Sequence, residues 1–269
     1  MTAMTTTAAA AAGRRGSGAG DLGRLIARAL RHETCTVDAL IVNIAMPVAI
    51  MVVFVYVFGG AITTGSSGLE YIDFAVPGVL VMCAGYGAAL TAVSMAEEMT
   101  GGMIDRFRTL PIGAWTVPAA LVIASVVRNV ATTGIALAVA VVLGFRPDAT
   151  PAGWVLTAAV VAGYVLAMSA LAVLWGLMVT STQAAGAFSF VVLFLPYLSD
   201  TVVPAETMPG ALRAFAEHQP ITPLVETLRG LLLDRPIGDS GWIAAAWLAG
   251  AVVVATPLAA ARFRRRTSA

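Results

Sequence analysis

Of the 269 residues, 59% are hydrophobic and only 12% charged, with a mean hydropathy of +0.87. A soluble surface normally takes about a quarter charged residues, so composition excludes an ordinary soluble domain and points to a polytopic membrane protein. The net charge of +1 identifies no partner by itself, and no nucleic acid is expected.

Residues 1–20, "MTAMTTTAAAAAGRRGSGAG", are low-complexity and lack an apolar period, which predicts a disordered cytoplasmic tail. Over 21–37, Leu22, Leu25, Ile26, Ala29 and Leu30 recur at helical spacing while Arg24, Arg28 and Arg31 take another face. That pattern suits an amphipathic helix lying in the membrane interface ahead of the first span, with a frayed extension of that span as the alternative.

Membrane spans are expected at about 39–58, 74–96, 117–144, 154–179, 184–203 and 242–261. The third is overlong for a hydrocarbon core of about 30 Å, so it must tilt, break or project into the cytoplasm. Residues 204–240 are punctuated by Pro204, Pro209, Pro220, Pro223 and Pro236 into fragments too short to span, which predicts re-entrant or interfacial helices. Cys35 and Cys83 fall in different environments and read as packing residues.

All sixteen basic residues are arginine. A cytoplasmic amino terminus puts Arg14, Arg15, Arg24, Arg28, Arg31, Arg106, Arg108, Arg262, Arg264, Arg265 and Arg266 inside. Only Arg146, Arg213, Arg229 and Arg235 then lie outside. That asymmetry fits the positive-inside rule and six spans with both termini cytoplasmic. A phosphate-binding loop of the G-x-x-x-x-G-K-[ST] type needs a lysine, and the chain has none, so ATP hydrolysis by that route is excluded. No Cys and His cluster has metal-ligand spacing, and no carboxylate pair lies deep in a span, so neither a metal nor another cofactor is expected.

Arg128, with Asn129 beside it, stands inside the third stretch. A charge near the bilayer centre costs about 2.5–3.5 kcal/mol, so it must face protein or water. It is read either as a pathway or subunit-contact residue, or as a side chain snorkelling to the headgroups from a protruding helix end, the second being favoured.

The connector "EEMTGGMIDRFRTLPI" at 97–112 concentrates charge between two apolar runs. Glu97 and Glu98 end the second span, Gly101 and Gly102 break it, and about two helical turns follow before Pro111. On those turns Met103, Phe107 and Leu110 share a face, with Asp105, Arg106, Arg108 and Thr109 elsewhere. Such a segment is either a docking helix for a soluble partner or a solvated loop.

At "FAVPGVLV" (74–81), "AEEMTGGMIDRFRTLPI" (96–112) and "SDTVVPAETMPGALRAFAEHQPITP" (199–223) the chain resembles the permease subunits of ABC-2 type exporters, in particular the daunorubicin-resistance branch of drug efflux permeases. The resemblance covers about residues 21–265 and implies one all-α permease domain. It also implies that Glu97, Glu98, Gly102, Asp105, Arg106, Phe107, Arg108, Leu110 and Pro111 form or support a coupling helix against a separate ATP-binding subunit. Gly101 departs from the family, which often has a basic residue there. Further implications are a second permease subunit, identical or merely similar, and a cavity between the first, second and fifth spans. The cargo would be a small hydrophobic or amphipathic molecule leaving through the cell membrane, in a bacterium the inner one, with contacts to membrane lipid. A lipid or lipid-linked glycan as cargo, a secondary transporter, and a non-transporting anchor are the alternatives.

Overall fold

The computed structural model describes residues 48–58, 69–101, 116–201 and 208–268, together with Gly23, Ile26, Ala27 and Ala45. Among the described residues every regular element is helical. The predicted tail, the body of the interfacial helix and residues 102–115 lie outside them.

The elements, in chain order, are α1 (Val48–Val57), α2 (Tyr71–Ala89), α3 (Thr91–Thr100), α4 (Thr116–Val142), α5 (Pro151–Gly176), α6 (Thr182–Tyr197), α7 (Gly210–His218), α8 (Ile221–Leu232) and α9 (Ser240–Ser268). The end of α1, from Val53 to Phe58, is π-wound. Four stretches are long and apolar enough to cross a membrane: α2 with α3, then α4, α5 and the first 27 residues of α9. The shorter α1 and α6 are also apolar.

Sequence chemistry sets several boundaries. Thr150 caps α5, its Oγ1 accepting from the Gly153 N–H at 3.1 Å, with Pro151 in the first turn, where a missing N–H is harmless. Ser181 caps α6 the same way through the Ala184 N–H at 3.2 Å. Helix α4 ends in a Schellman turn: Gly144 adopts φ +114°, the Phe145 N–H reaches back to the Ala140 carbonyl and the Gly144 N–H to that of Val141. Phe145 is then fully buried, the apolar contact that completes this motif.

Three boundaries differ from the sequence expectation. The second span carries a one-residue turn at Leu90, which keeps right-handed helical angles and joins α2 to α3. Helix α6 stops at Tyr197 rather than near 203, because Pro196 occupies its last turn and the chain turns back through Leu198 to Thr201. At about 24 Å it is shorter than the hydrocarbon core. Helix α9 continues through the terminal arginines instead of ending at 261. The overlong third span resolves as one continuous helix of about 40 Å running straight through Arg128.

In the order α2 with α3, α4, α5, α6 and α9 the helices alternate in direction, so α5 and α9 run parallel, and the connections sort to two ends. The turn at Gly144, the end of α6 with residues 198–201, α8 and the start of α9 gather at the end where α2 begins. Gly101, the start of α4, the α5–α6 turn and the end of α9 gather at the other. Arg146, Arg213, Arg229 and Arg235 belong to the first group and Arg262, Arg264, Arg265 and Arg266 to the second.

The second span is the hub. In its most apolar eighteen-residue window 78% is buried, against 33%, 44% and 17% for α4, α5 and α9. It supplies residues to all four apolar clusters, from Val76 and Leu80 beside Met51 and Phe145 to Met95 beside Val117, Leu177 and Phe263.

Candidate functional site

A helix buried on most sides needs partners for its neighbours' polar atoms, and needs room for their backbones. Glycine supplies the room: besides Gly78 and Gly85, a side chain at Gly87 would strike the Asn129 amide, and one at Gly176 of α5 would lie 2.5 Å from the Ala92 carbonyl. Close approach of this kind is what small residues allow between membrane helices.

Where α4 and α5 meet the turn at Leu90, a buried polar cluster runs across the bundle. Thr91 donates from Oγ1 to Ser125 Oγ at 2.9 Å, and Ser125 and Ser169 share a hydrogen bond of 2.8 Å. Asn129 Nδ2 donates to the Ser125 carbonyl at 2.8 Å and to its hydroxyl at 3.0 Å. Thr91, Ser125, Asn129 and Ser169 are all buried. Ser125 thus joins three helices, because α4 places residues 125 and 129 one turn apart on one face.

Arg128 completes the cluster. It is only 9% exposed, and its Nη2 donates to the Gly87 carbonyl at 3.0 Å. Gly87 lies within a turn of the junction between α2 and α3 at Leu90, and its missing side chain leaves the carbonyl open to the guanidinium. The side chain turns into the bundle rather than toward headgroups, so the favoured snorkelling reading is replaced by an internal one.

A second arginine serves the same span nearer its start. Arg229 of α8 pairs with the Asp200 carboxylate at 2.9 Å and donates to the carbonyls of Asp200 at 3.0 Å and Phe74 at 3.2 Å. Its guanidinium also lies 4.0 Å from the centre of the Phe74 ring. Pro77 inside α2 has no N–H to give to the Asp73 carbonyl, and the Arg229 bond falls on the carbonyl next to it, that of Phe74. Around Asp200, Gln219 Nε2 donates to the Leu198 carbonyl at 2.8 Å and the Asp200 N–H to Thr222 Oγ1 at 3.4 Å.

At the opposite end Glu97 is exposed and Glu98 half-buried, and the helix closes with the Gly101 N–H on the Glu97 carbonyl at 2.8 Å. Gly102, Asp105, Arg106, Phe107, Arg108, Leu110 and Pro111 lie outside the described residues. The structure therefore brings Arg128 and Asn129 together with one another but leaves them several turns from Glu97. Sequence reasoning passed over Thr91, Ser125, Ser169, Asp200 and Arg229. The hydroxyls gave no signal beyond being polar in apolar runs, whereas Asp200 and Arg229 stood out as lone charges among prolines.

A model of the family described as ABC-2 type transporter matches residues 23–233. The chain is 29% identical over 231 residues to the daunorubicin resistance ABC transporter permease protein DrrB1 of Streptomyces coeruleorubidus, covering 85% of this chain and 81% of that protein. It is 27% identical over 241 residues to the probable doxorubicin resistance ABC transporter permease protein DrrC of Mycobacterium tuberculosis, covering 88% of this chain and 84% of that one.

Proposed function

The chain belongs to the ABC-2 type transporter family, and on that premise we propose that it is the membrane-spanning subunit of a drug exporter in the inner membrane of a bacterium, driven by ATP hydrolysis on a separate chain. Both relatives carry the words resistance and permease in their names, which supports a cargo of small amphipathic drugs. The absence of lysine supports the division of labour, since no P-loop of the usual kind can be built from this sequence.

The observation that carries the mechanism is the buried second span. It begins beside Arg229 and ends at Gly101, immediately before the connector that would meet the ATPase. A push delivered at Arg106, Phe107 and Arg108 would pass through Glu97 and Glu98 into α3, and from there into two neighbouring helices, α4 and α5, through Ser125. In this reading there are six spans with both termini cytoplasmic, α1 and α6 belonging to the first and fifth, and α7 and α8 form an outer cap. A second permease subunit supplies the other wall of the pathway.

Inverted membrane vesicles containing the permease and its ATP-binding partner test the proposal. ATP-dependent accumulation of doxorubicin that requires both chains is expected. Accumulation that ignores ATP, or proceeds equally with the permease alone, would remove the exporter reading in favour of an ion-driven transporter or an anchor.

A further inference from the structure

The Arg229 grip does more than neutralise a charge. Arg229 and Asp200 side chains are only 12% and 15% exposed, and the guanidinium reaches three segments at once: its own α8, the chain following α6, and the first turn of α2. The segment it holds packs on α2, as does the apolar face of α8 through Leu224, Val225 and Leu228 beside Val81 and Ala84, so the grip adds a directional polar bond to apolar contacts that can slide. Ser199 bonds back to the Pro196 carbonyl at 2.6 Å and to Thr201, and Thr201 is fully buried against Gly78 of α2. Thr222 and Gln219 tie the same segment to α7 and α8. Cap and α6 end are therefore bound to each other by several hydroxyl and amide bonds, while Arg229 carries a polar bond from the cap to the second span at the Phe74 carbonyl.

We propose that Arg229 is a positioning residue for export: it clamps the α7–α8 cap and the end of α6 onto the second span at rest, and cargo leaves at this end when the clamp opens. The inference rests on the exporter reading and on this end facing outward. A planar guanidinium holding a carboxylate, two carbonyls and a ring face needs all of them in register, so a small slide of α2 carries the Phe74 carbonyl and ring out of reach. The Asp200 pair would persist within the cap, and the Phe74 contacts would be the ones released.

Thr201→Cys, made in a chain carrying Cys35→Ser and Cys83→Ala and assembled with the ATP-binding partner in vesicles, reports the clamp through a membrane-impermeant maleimide applied from the outer side. Protection at rest, labelling when ATP is trapped with vanadate, and labelling at rest in Arg229→Gln are expected. The resting rate should rise about tenfold, as loss of about 1.4 kcal/mol of closure would give. The same variant should export less doxorubicin per ATP hydrolysed with ATP turnover maintained. Arg229→Lys, which keeps the charge without the fork, decides the matter should Arg229→Gln fail to accumulate, and should fall between the two. Continued protection of Thr201→Cys in both variants, or unchanged export per ATP, would overturn the clamp. Failure of the unmutated complex to export with ATP would instead count against the exporter reading itself.

Discussion

Arg128 on α4 donates from Nη2 to the backbone carbonyl of Gly87 at 3.0 Å, and the next residue, Asn129, occupies the space that a Gly87 side chain would fill. One glycine thus serves two neighbours, one through its oxygen and one through its missing Cβ. The turn at Leu90 follows within a turn of helix, so the polar cluster braces the second span where α2 meets α3.

Gly87→Ala should therefore destabilise the protein by about 1–3 kcal/mol, the usual cost of forcing a methyl into a filled space. Asn129→Ala should also destabilise, by losing its bonds to Ser125. Combining the two should cost less than the sum, because the second change vacates the space that the first needs. Urea or SDS unfolding in micelles, followed by tryptophan fluorescence, measures all three. Additive costs would show that the contact between them is not what opposes the methyl.

Ser125 bonds to Thr91, Asn129 and Ser169, so Ser125→Ala strands partners on two other helices as well as its own. A loss of roughly 1–2 kcal/mol is expected, near the upper end of what hydrogen bonds between membrane helices contribute. Ser169→Ala alone should cost about half as much, and adding it to Ser125→Ala should change little. The same unfolding titration reads the coupling.

Reversing the connector charges with Arg106→Glu and Arg108→Glu should reduce co-purification with the ATP-binding subunit by tenfold or more, the effect of about 1.4 kcal/mol, while leaving the permease folded. Doxorubicin-dependent ATP turnover should fall with it. Unchanged capture and unchanged turnover in the double variant would remove these arginines from the contact.

Phe263 is 3% exposed in the cluster formed by Met95, Val117, Leu121, Val173 and Leu177, although arginines flank it in sequence. Phe263→Ala should loosen the last turns of α9 without unfolding the bundle. Limited trypsin digestion of spheroplast-derived inverted vesicles should cut at Arg262–Arg266 several times faster than in the unmutated chain. An unaltered rate would mean that α9 holds its end by other contacts.

Much of this fold is legible in apolar run length, because a helix that satisfies its own backbone groups is the standard way for a single chain to cross hydrocarbon. Thr116–Val142 and Pro151–Gly176 match their sequence counterparts to within a few residues. The turn at Leu90 is not legible, since leucine neither caps nor breaks helices. Arg128 was conspicuous as a charge in an apolar run, but its partner is a main-chain carbonyl 41 residues earlier, which side-chain pattern does not reveal. Ser125 and Ser169 were silent for a related reason. A hydroxyl in an apolar helix looks alike whether it bonds its own turn or a neighbouring helix.

The direction of the Arg128 bond has a consequence for how the protein is made. Gly87 and Thr91 precede Arg128 in the chain, so the acceptor that receives the guanidinium has been synthesised before that charge must enter the bilayer. Ser169 follows by 41 residues, or roughly 2–8 s of translation, and cannot assist the insertion step. During biosynthesis the second span is thus the template on which the arginine-bearing helix is received, and the last hydroxyl of the cluster closes a site already seated.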